Sequence, residues 1–130
     1  MVTATIIDEI GIASATRQAM VQALAALAMK PDYLLIDWVK LPQTGLPQLC
    51  VAKADQKMAS VAAASILAKV TRDQLLAGMS EQYPLYGFGE HKGYGTAQHL
   101  AALSAHGPCV EHRYSFAPLA ARATLLDAAE

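Results

Sequence analysis

Two carboxylates are the residues in this sequence best placed to do chemistry. Asp37 ends the stretch DYLLIDW, and Asp55 lies in KADQK, just after QLCV. Each adjoins the end of a short apolar run of strand length. If the two strands are parallel neighbours, both acids emerge at the carboxyl edge of one sheet, where open α/β sheets build their sites. Two carboxylates there suit a hard, oxygen-seeking cation such as Mg2+ or Mn2+. A two-metal site can activate water and stabilise the leaving oxygen of a phosphodiester. The same acids also have a plainer use: strand-end Asp turns the chain, and Asp55 can help to cap the helix that follows.

Two further clusters suit a phosphate-bearing ligand. In VAAASILAK, residues Ala62, Ala63, Ala64 and Ala68 leave a thin helix surface that a sheet or a bound backbone can approach closely. Ser65 and Lys69 are four apart, so they share a face and could touch one phosphate. A close-packed core helix with a solvated lysine would give the same pattern. In HKGYGT, Lys92 offers a phosphate contact, Tyr94 an aromatic face for a sugar or base, and the glycines allow close approach. A tyrosine-anchored turn is the alternative there. Lys53, Lys57, Lys69, Arg72, Lys92 and Arg113 fall in or near these segments, which favours a polyanionic ligand.

The elements that must hold these residues alternate in type. Apolar residues at near-helical spacing, Ile10, Ala13, Met20, Leu24 and Leu27, predict a helix over about 8–30, stopped by Pro31. Short strands are expected at 33–36 and 48–53, separated by the Pro- and Gly-containing loop KLPQTGLPQ. A long helix over about 58–82 follows, then the glycine- and tyrosine-rich loop YPLYGFGEHKGYGT. Thr96 can N-cap a helix, AQHLAALSAH, that ends at Gly107-Pro108. A helical tail is expected over 117–130. The order implies an α/β layer arrangement, although two short strands make a poor sheet alone.

Composition fits one folded domain. The chain has 130 residues, 54% of them hydrophobic and only 6% aromatic, with a net charge of −1. That excludes a disordered chain and a globally basic binder, but not a local basic patch. Cys50 and Cys109 are far apart and in no metal-ligand spacing. MVTATIIDEI is not a signal peptide, and no apolar stretch reaches membrane-spanning length, so no membrane partner is expected and a cytoplasmic location is the default.

The ordered motifs KADQKMASVAAASILAKVTRD, YGFGEHKGYGTAQHL and HRYSF resemble those of ribonuclease HII. IDEIGIASATRQAM is similar to that family's helix I-D-x-x-x-I-x-x-A-T-x-x-A-M, and DYLLIDW to its strand ending in an acid. The resemblance runs from about Ile7 to Pro118. It implies a ribonuclease H-like fold and a metal-assisted endonuclease that cuts the RNA strand of RNA–DNA hybrids and nicks at ribonucleotides embedded in DNA. It further implies that Asp37 and Asp55 are the third and fourth metal-binding acids, with Mn2+ or Mg2+ as cofactor. By the same resemblance, Tyr94 packs against the nucleotide at the RNA-to-DNA junction, and Lys92 and Lys69 contact phosphates.

The family pattern also departs from this chain. Its strand-end Asp is often followed by Gly, where this sequence has Trp38. Family members begin with a strand bearing D-E-x-G-x-G, the first two metal acids, followed by D-S-K, and neither pattern occurs here. Asp8-Glu9-Ile10-Gly11 is not that motif, because the A-T-x-x-A-M pattern after it assigns Asp8 to the later helix. Residues 1–130 are therefore expected to form one incomplete domain of the family, a truncated fold in which short parallel strands are packed by helices, with 119–130 as a C-terminal tail. Such a chain is expected to be weakly active or inactive alone, to persist as a hybrid-binding remnant, or to self-associate through an exposed sheet edge.

Overall fold

The structure is a computed structural model describing residues 1–117 and 119–120, so the tail expected over 117–130 lies largely outside the described residues. It is mixed α/β, with five α-helices of four or more residues and a short parallel two-stranded sheet among the described residues. The chain divides into two compact units. One comprises Met1–Leu34, Leu41–Pro47 and the segment from Pro108 onward; the other comprises Leu35–Lys40 and Gln48–Gly107.

In the first unit the single helix expected over 8–30 is two helices, α1 (Ala4–Ile10) and α2 (Ile12–Ala25). Gly11 divides them. At φ 77° and ψ 155° it takes a backbone conformation that a side chain would oppose. Its N–H closes α1 on Ile7 O at 2.9 Å, and its carbonyl accepts the first bond of α2 from Ala15 at 3.0 Å. Thr3 caps α1 by accepting the Ile6 N–H. The second helix stops short of Pro31 because its apolar stripe finds little to pack against. Ala15 is its one buried residue, while Leu27 and Met29 beyond its end are 51% and 85% exposed. Without burial, nothing offsets the entropy of ordering another turn.

Asp8 makes a three-bond long-range tie in this unit. Its Oδ2 accepts the Tyr114 N–H at 2.8 Å, and its Oδ1 accepts the Ser115 N–H at 3.0 Å and the Ser115 hydroxyl at 2.5 Å. These bonds, chiefly the Ser115 hydroxyl, hold the Asp8 carboxyl below its ordinary pKa. Nearby, Cys109 N–H donates to His112 Nδ1 at 3.0 Å, and burial pushes the Cys109 thiol pKa up, as suits an unreactive thiol.

In the second unit, apart from Leu34 at the start of the first strand, β1 (Leu34–Asp37) and β2 (Gln48–Val51) run parallel. The alternation is regular: Leu34 and Ile36 are buried, Leu35 and Asp37 exposed. A 3-10 turn, Ala54–Gln56, leads into α3 (Ala59–Gln82) and packs against it. The expected glycine-rich loop contains a 3-10 turn, Pro84–Tyr86, and the one-turn helix α4 (Phe88–His91). Last comes α5 (Ala97–His106), N-capped by Thr96, whose Oγ1 accepts the His99 N–H at 3.3 Å, and ended by Gly107 at φ 72°. The core here is aromatic. Tyr86 and Phe88 stack at 5.6 Å, and Phe88 meets His91 and His99 edge-on at 6.1 and 5.8 Å. Burying Phe88 contributes roughly 2–3 kcal/mol, and the Tyr86 hydroxyl is satisfied by Gly107 O at 2.9 Å.

The Asp8 clamp has a pH signature. A depressed folded-state pKa gives stability that is present above the unfolded value, 3.8 for Asp, and lost as pH falls through the lower folded value. The thermal midpoint of the Asp8→Asn variant should therefore lie below that of the unsubstituted chain near neutral pH. The gap should close as the pH is lowered below about 4. Thermal melts followed by circular dichroism across that range check this; a gap that widens in acid would rule it out.

Candidate functional site

All six residues expected at the site, Asp37, Asp55, Ser65, Lys69, Lys92 and Tyr94, belong to the second unit. Asp37 is the last residue of β1 and is exposed. Its Oδ1 accepts the N–H of Ala54 at 3.2 Å. Ala54 is fully buried and immediately precedes Asp55, so this bond ties the carboxylate of one acid to the backbone beside the other. Asp55 does not cap α3, whose N-cap is Met58 with no side-chain bond. Its carboxylate makes no hydrogen bond or ion pair among the described residues and is exposed. Two accessible carboxylates on neighbouring loops are an oxygen donor set that fits a hard divalent cation, which commonly takes one or two protein carboxylates and completes its shell with water. Among the described residues, no group of three or more His, Cys, Asp or Glu gathers round a common point.

The backbone around these acids is unusual. Trp38, directly after Asp37, has φ 69°, and the Val39 N–H reaches back to Asp37 O at 2.8 Å, a three-residue turn. Lys53 has φ 57° at the start of the turn that carries Asp55, and Lys92 has φ 51° at the end of α4. These are the non-glycine residues with positive φ among the described residues, and each lies within two positions of an expected site residue or is one. Such conformations cost on the order of 1–2 kcal/mol each. The Trp38 indole is 77% exposed and does not fill the protein interior.

A second cluster forms where α3 meets the loop after α4. Lys69 Nζ pairs with Asp73 Oδ2 at 2.8 Å; this contact raises the lysine pKa and lowers that of the acid, the expected direction for both partners. Arg72 Nη2 donates to Lys92 O at 2.8 Å, and its guanidinium lies 5.1 Å from the centre of the Tyr94 ring. Lys92 Nζ donates to Gly89 O. Lys69, Lys92 and Tyr94 are therefore gathered around Arg72 and Asp73, with the Tyr94 ring 60% exposed. Ser65 is not part of this group. Its hydroxyl donates to Ala62 O at 2.9 Å on its own helix, and no hydrogen bond joins it to Lys69, Lys92 or Tyr94. Ala63 and Ala64 are exposed, so no sheet covers the thin face of α3 among the described residues.

Sequence reasoning counted Arg72 among nearby cations but gave it no role, and it passed over Asp73, His91 and His99. The i, i+4 spacing of Lys69 and Asp73 signals their pairing. Nothing in the spacing of the histidines signals theirs. An open cleft of about 520 Å3 in the first unit, lined by Thr5, Asp8, Glu9, Val110, His112 and Tyr114, contains none of the expected site residues. Both carboxylate oxygens of Asp8 there accept hydrogen bonds from Tyr114 and Ser115, which accounts for the acid as a clamp between these segments.

Comparison with known proteins places these features in a family. Residues 2–119 match the family model for Ribonuclease HII. Proteins named Ribonuclease HII from Bacillus thuringiensis (strain Al Hakam) and Bacillus cereus (strain Q1) are each 55% identical over 119 residues, covering 92% of this chain and 46% of the relative. The protein of that name from Bacillus anthracis (strain CDC 684 / NRRL 3495) is 54% identical over the same span. The chain thus spans about half the length of the curated relatives it matches. With a two-acid strand edge and a lysine–arginine–tyrosine cluster in one unit, and with this match along most of its length, the chain belongs to the ribonuclease HII family.

Proposed function

We propose that this chain carries part of a metal-assisted endonuclease site that acts on the RNA strand of RNA–DNA hybrids and at ribonucleotides embedded in DNA. The observation that carries the reading is the hydrogen bond from Ala54 N–H to Asp37 Oδ1, which sets Asp37 beside Asp55. These two acids would hold a divalent cation, Mn2+ or Mg2+. When bound, such a cation activates water and neutralises charge on the phosphate. Lys92 and Lys69 contribute phosphate contacts, and the exposed Tyr94 ring offers a stacking face to a sugar or base. Arg72 supports that ring from behind and adds a fixed positive charge beside it. Described helices include none long and apolar enough to cross a membrane, and a cytoplasmic setting goes with a nucleic-acid substrate.

A second reading keeps the binding surface without the catalysis. Its support is that Asp37 and Asp55 are two carboxylates where no third ligand gathers among the described residues. In that case the chain binds hybrid or self-associates. The apolar side chains Ile66, Leu67 and Val70 of α3 are 62%, 68% and 48% exposed, which favours association.

Three measurements separate these readings. A labelled DNA duplex carrying one ribonucleotide, incubated with Mn2+ or Mg2+, should be nicked 5′ to the ribonucleotide, and Asp37→Asn should lower the rate at least ~100-fold. If neither protein nicks while hybrid binding persists, the binding remnant is the correct reading. Lys92→Ala should weaken hybrid binding to a similar degree across sequences and reduce the slope of log affinity against log salt by about one; an unchanged slope would remove Lys92 from the interface. Sedimentation of the chain over a concentration series should show reversible association, which Leu67→Glu would suppress if the α3 face mediates it.

A further inference from the structure

Beneath the Tyr94 loop two imidazoles lie face to face. The His91 and His99 rings are stacked at 4.4 Å with an interplanar angle of 11°, and both residues are buried, at 7% and 6% exposure. Their polar atoms are directed at backbone groups, two of them in the Gly93–Tyr94 segment and one at Tyr86. His91 Nδ1 accepts the Gly93 N–H at 3.2 Å, and His91 O accepts the Tyr94 N–H at 2.9 Å. His91 Nε2 lies 2.6 Å from Tyr86 O. A carbonyl can only accept, so Nε2 carries the proton and Nδ1 is free to receive the Gly93 N–H. His99 Nδ1 lies 3.0 Å from Tyr94 O and, by the same logic, donates to it. The Tyr94 carbonyl is thus held by the His99 imidazole together with the Thr96 N–H, and its N–H by the His91 backbone, while the residue stays exposed and Arg72 covers one side of the ring.

A buried aromatic pair would serve packing alone with two Phe residues. What imidazoles add is a directed set of bonds, to Gly93 N–H and Tyr94 O, beyond the turn bonds the loop makes with its own backbone. Lys92 sits at φ 51° and Gly93 at φ 73°, a conformation that needs such support to persist. We propose that His91 and His99 are positioning residues whose task is to hold Tyr94 in the pose that meets the nucleotide. The inference rests on the reading of Tyr94 as a nucleotide contact, and it adds the device that orients it. An aromatic platform binds a base well only if its plane is fixed beforehand, because ordering it on binding subtracts from the stacking energy.

The test is a double-mutant cycle on the full chain, with a fluorescent RNA–DNA hybrid as probe and affinity as readout. His99→Phe keeps the ring and removes the N–H donor, whereas His99→Asn keeps a donor and removes the ring. His91→Gln keeps a donor toward Tyr86 O and removes the acceptor for Gly93, which gives an independent variant should His99→Phe fail to fold. Tyr94→Ala alone should weaken binding about tenfold. His99→Phe and His91→Gln should each weaken it by a similar factor with Tyr94 present, and by less than about twofold in the Tyr94→Ala background. His99→Asn should recover most of the loss. Equal effects in both backgrounds would show that the histidines act on general stability, and would overturn the proposal. A Tyr94→Ala variant that binds as tightly as the original would overturn the reading of Tyr94 itself.

Discussion

The hydrogen bond between Ala54 N–H and Asp37 Oδ1 is the constraint on which the site depends. It spans 17 positions of sequence and 3.2 Å of space. Ala54 is wholly buried, so its N–H has no access to water and needs a partner inside the protein. Asp37 provides it, and in doing so the acid loses rotational freedom. A carboxylate that would otherwise sample several rotamers at a strand end is held by one oxygen on an exposed residue. The same bond fixes the turn that carries Asp55. One buried amide thus restrains the Asp37 carboxylate and the backbone next to Asp55, and under the proposed function this preorganisation would favour coordination or charge stabilisation.

The second constraint is backbone strain placed where it is useful. Trp38, Lys53 and Lys92 accept left-handed conformations that most side chains avoid. Each is offset locally. Trp38 is held by the Val39 bond, Lys53 by the turn bonds it initiates through Gln56, and Lys92 by its N–H to Phe88 O and by Arg72 on its carbonyl. The chain can therefore reverse sharply right at the sheet edge and at the end of α4, instead of spending more residues to do so. Short reversals keep neighbouring functional groups close, and that closeness is what a loop of ordinary geometry would lose.

Much of this was legible in the sequence, and for identifiable reasons. The strand ending at Asp37 shows as a short apolar run, Tyr33 to Ile36, closed by an acid, because run length and its boundary are local properties. The helix α5 shows in its Thr96 and Gly107 caps for the same reason. The long helix α3 was visible within a residue of its observed bounds. The break at Gly11 was not, because a glycine within a helical pattern is ambiguous until its φ is known. The Arg72–Tyr94 contact and the histidine stack were also out of reach. They arise from residues 22 and 8 positions apart that only the tertiary fold brings together. Motif similarity singled out Tyr94 as a candidate, but the contacts around Tyr94 are visible only in three dimensions.

Trp38 has a consequence of a different kind. It is the sole tryptophan of the chain and adjoins Asp37 with 77% of its surface in water. Its indole fluorescence, excited at wavelengths that tyrosine does not absorb, therefore originates at a single known point on the carboxyl edge of the sheet, with no second indole to separate from it. The protein carries its own optical reporter beside the acid pair. Ion binding, a docked duplex or a covering polypeptide would each alter the polarity around that indole, so occupancy of this edge can be followed by emission wavelength without attaching a dye.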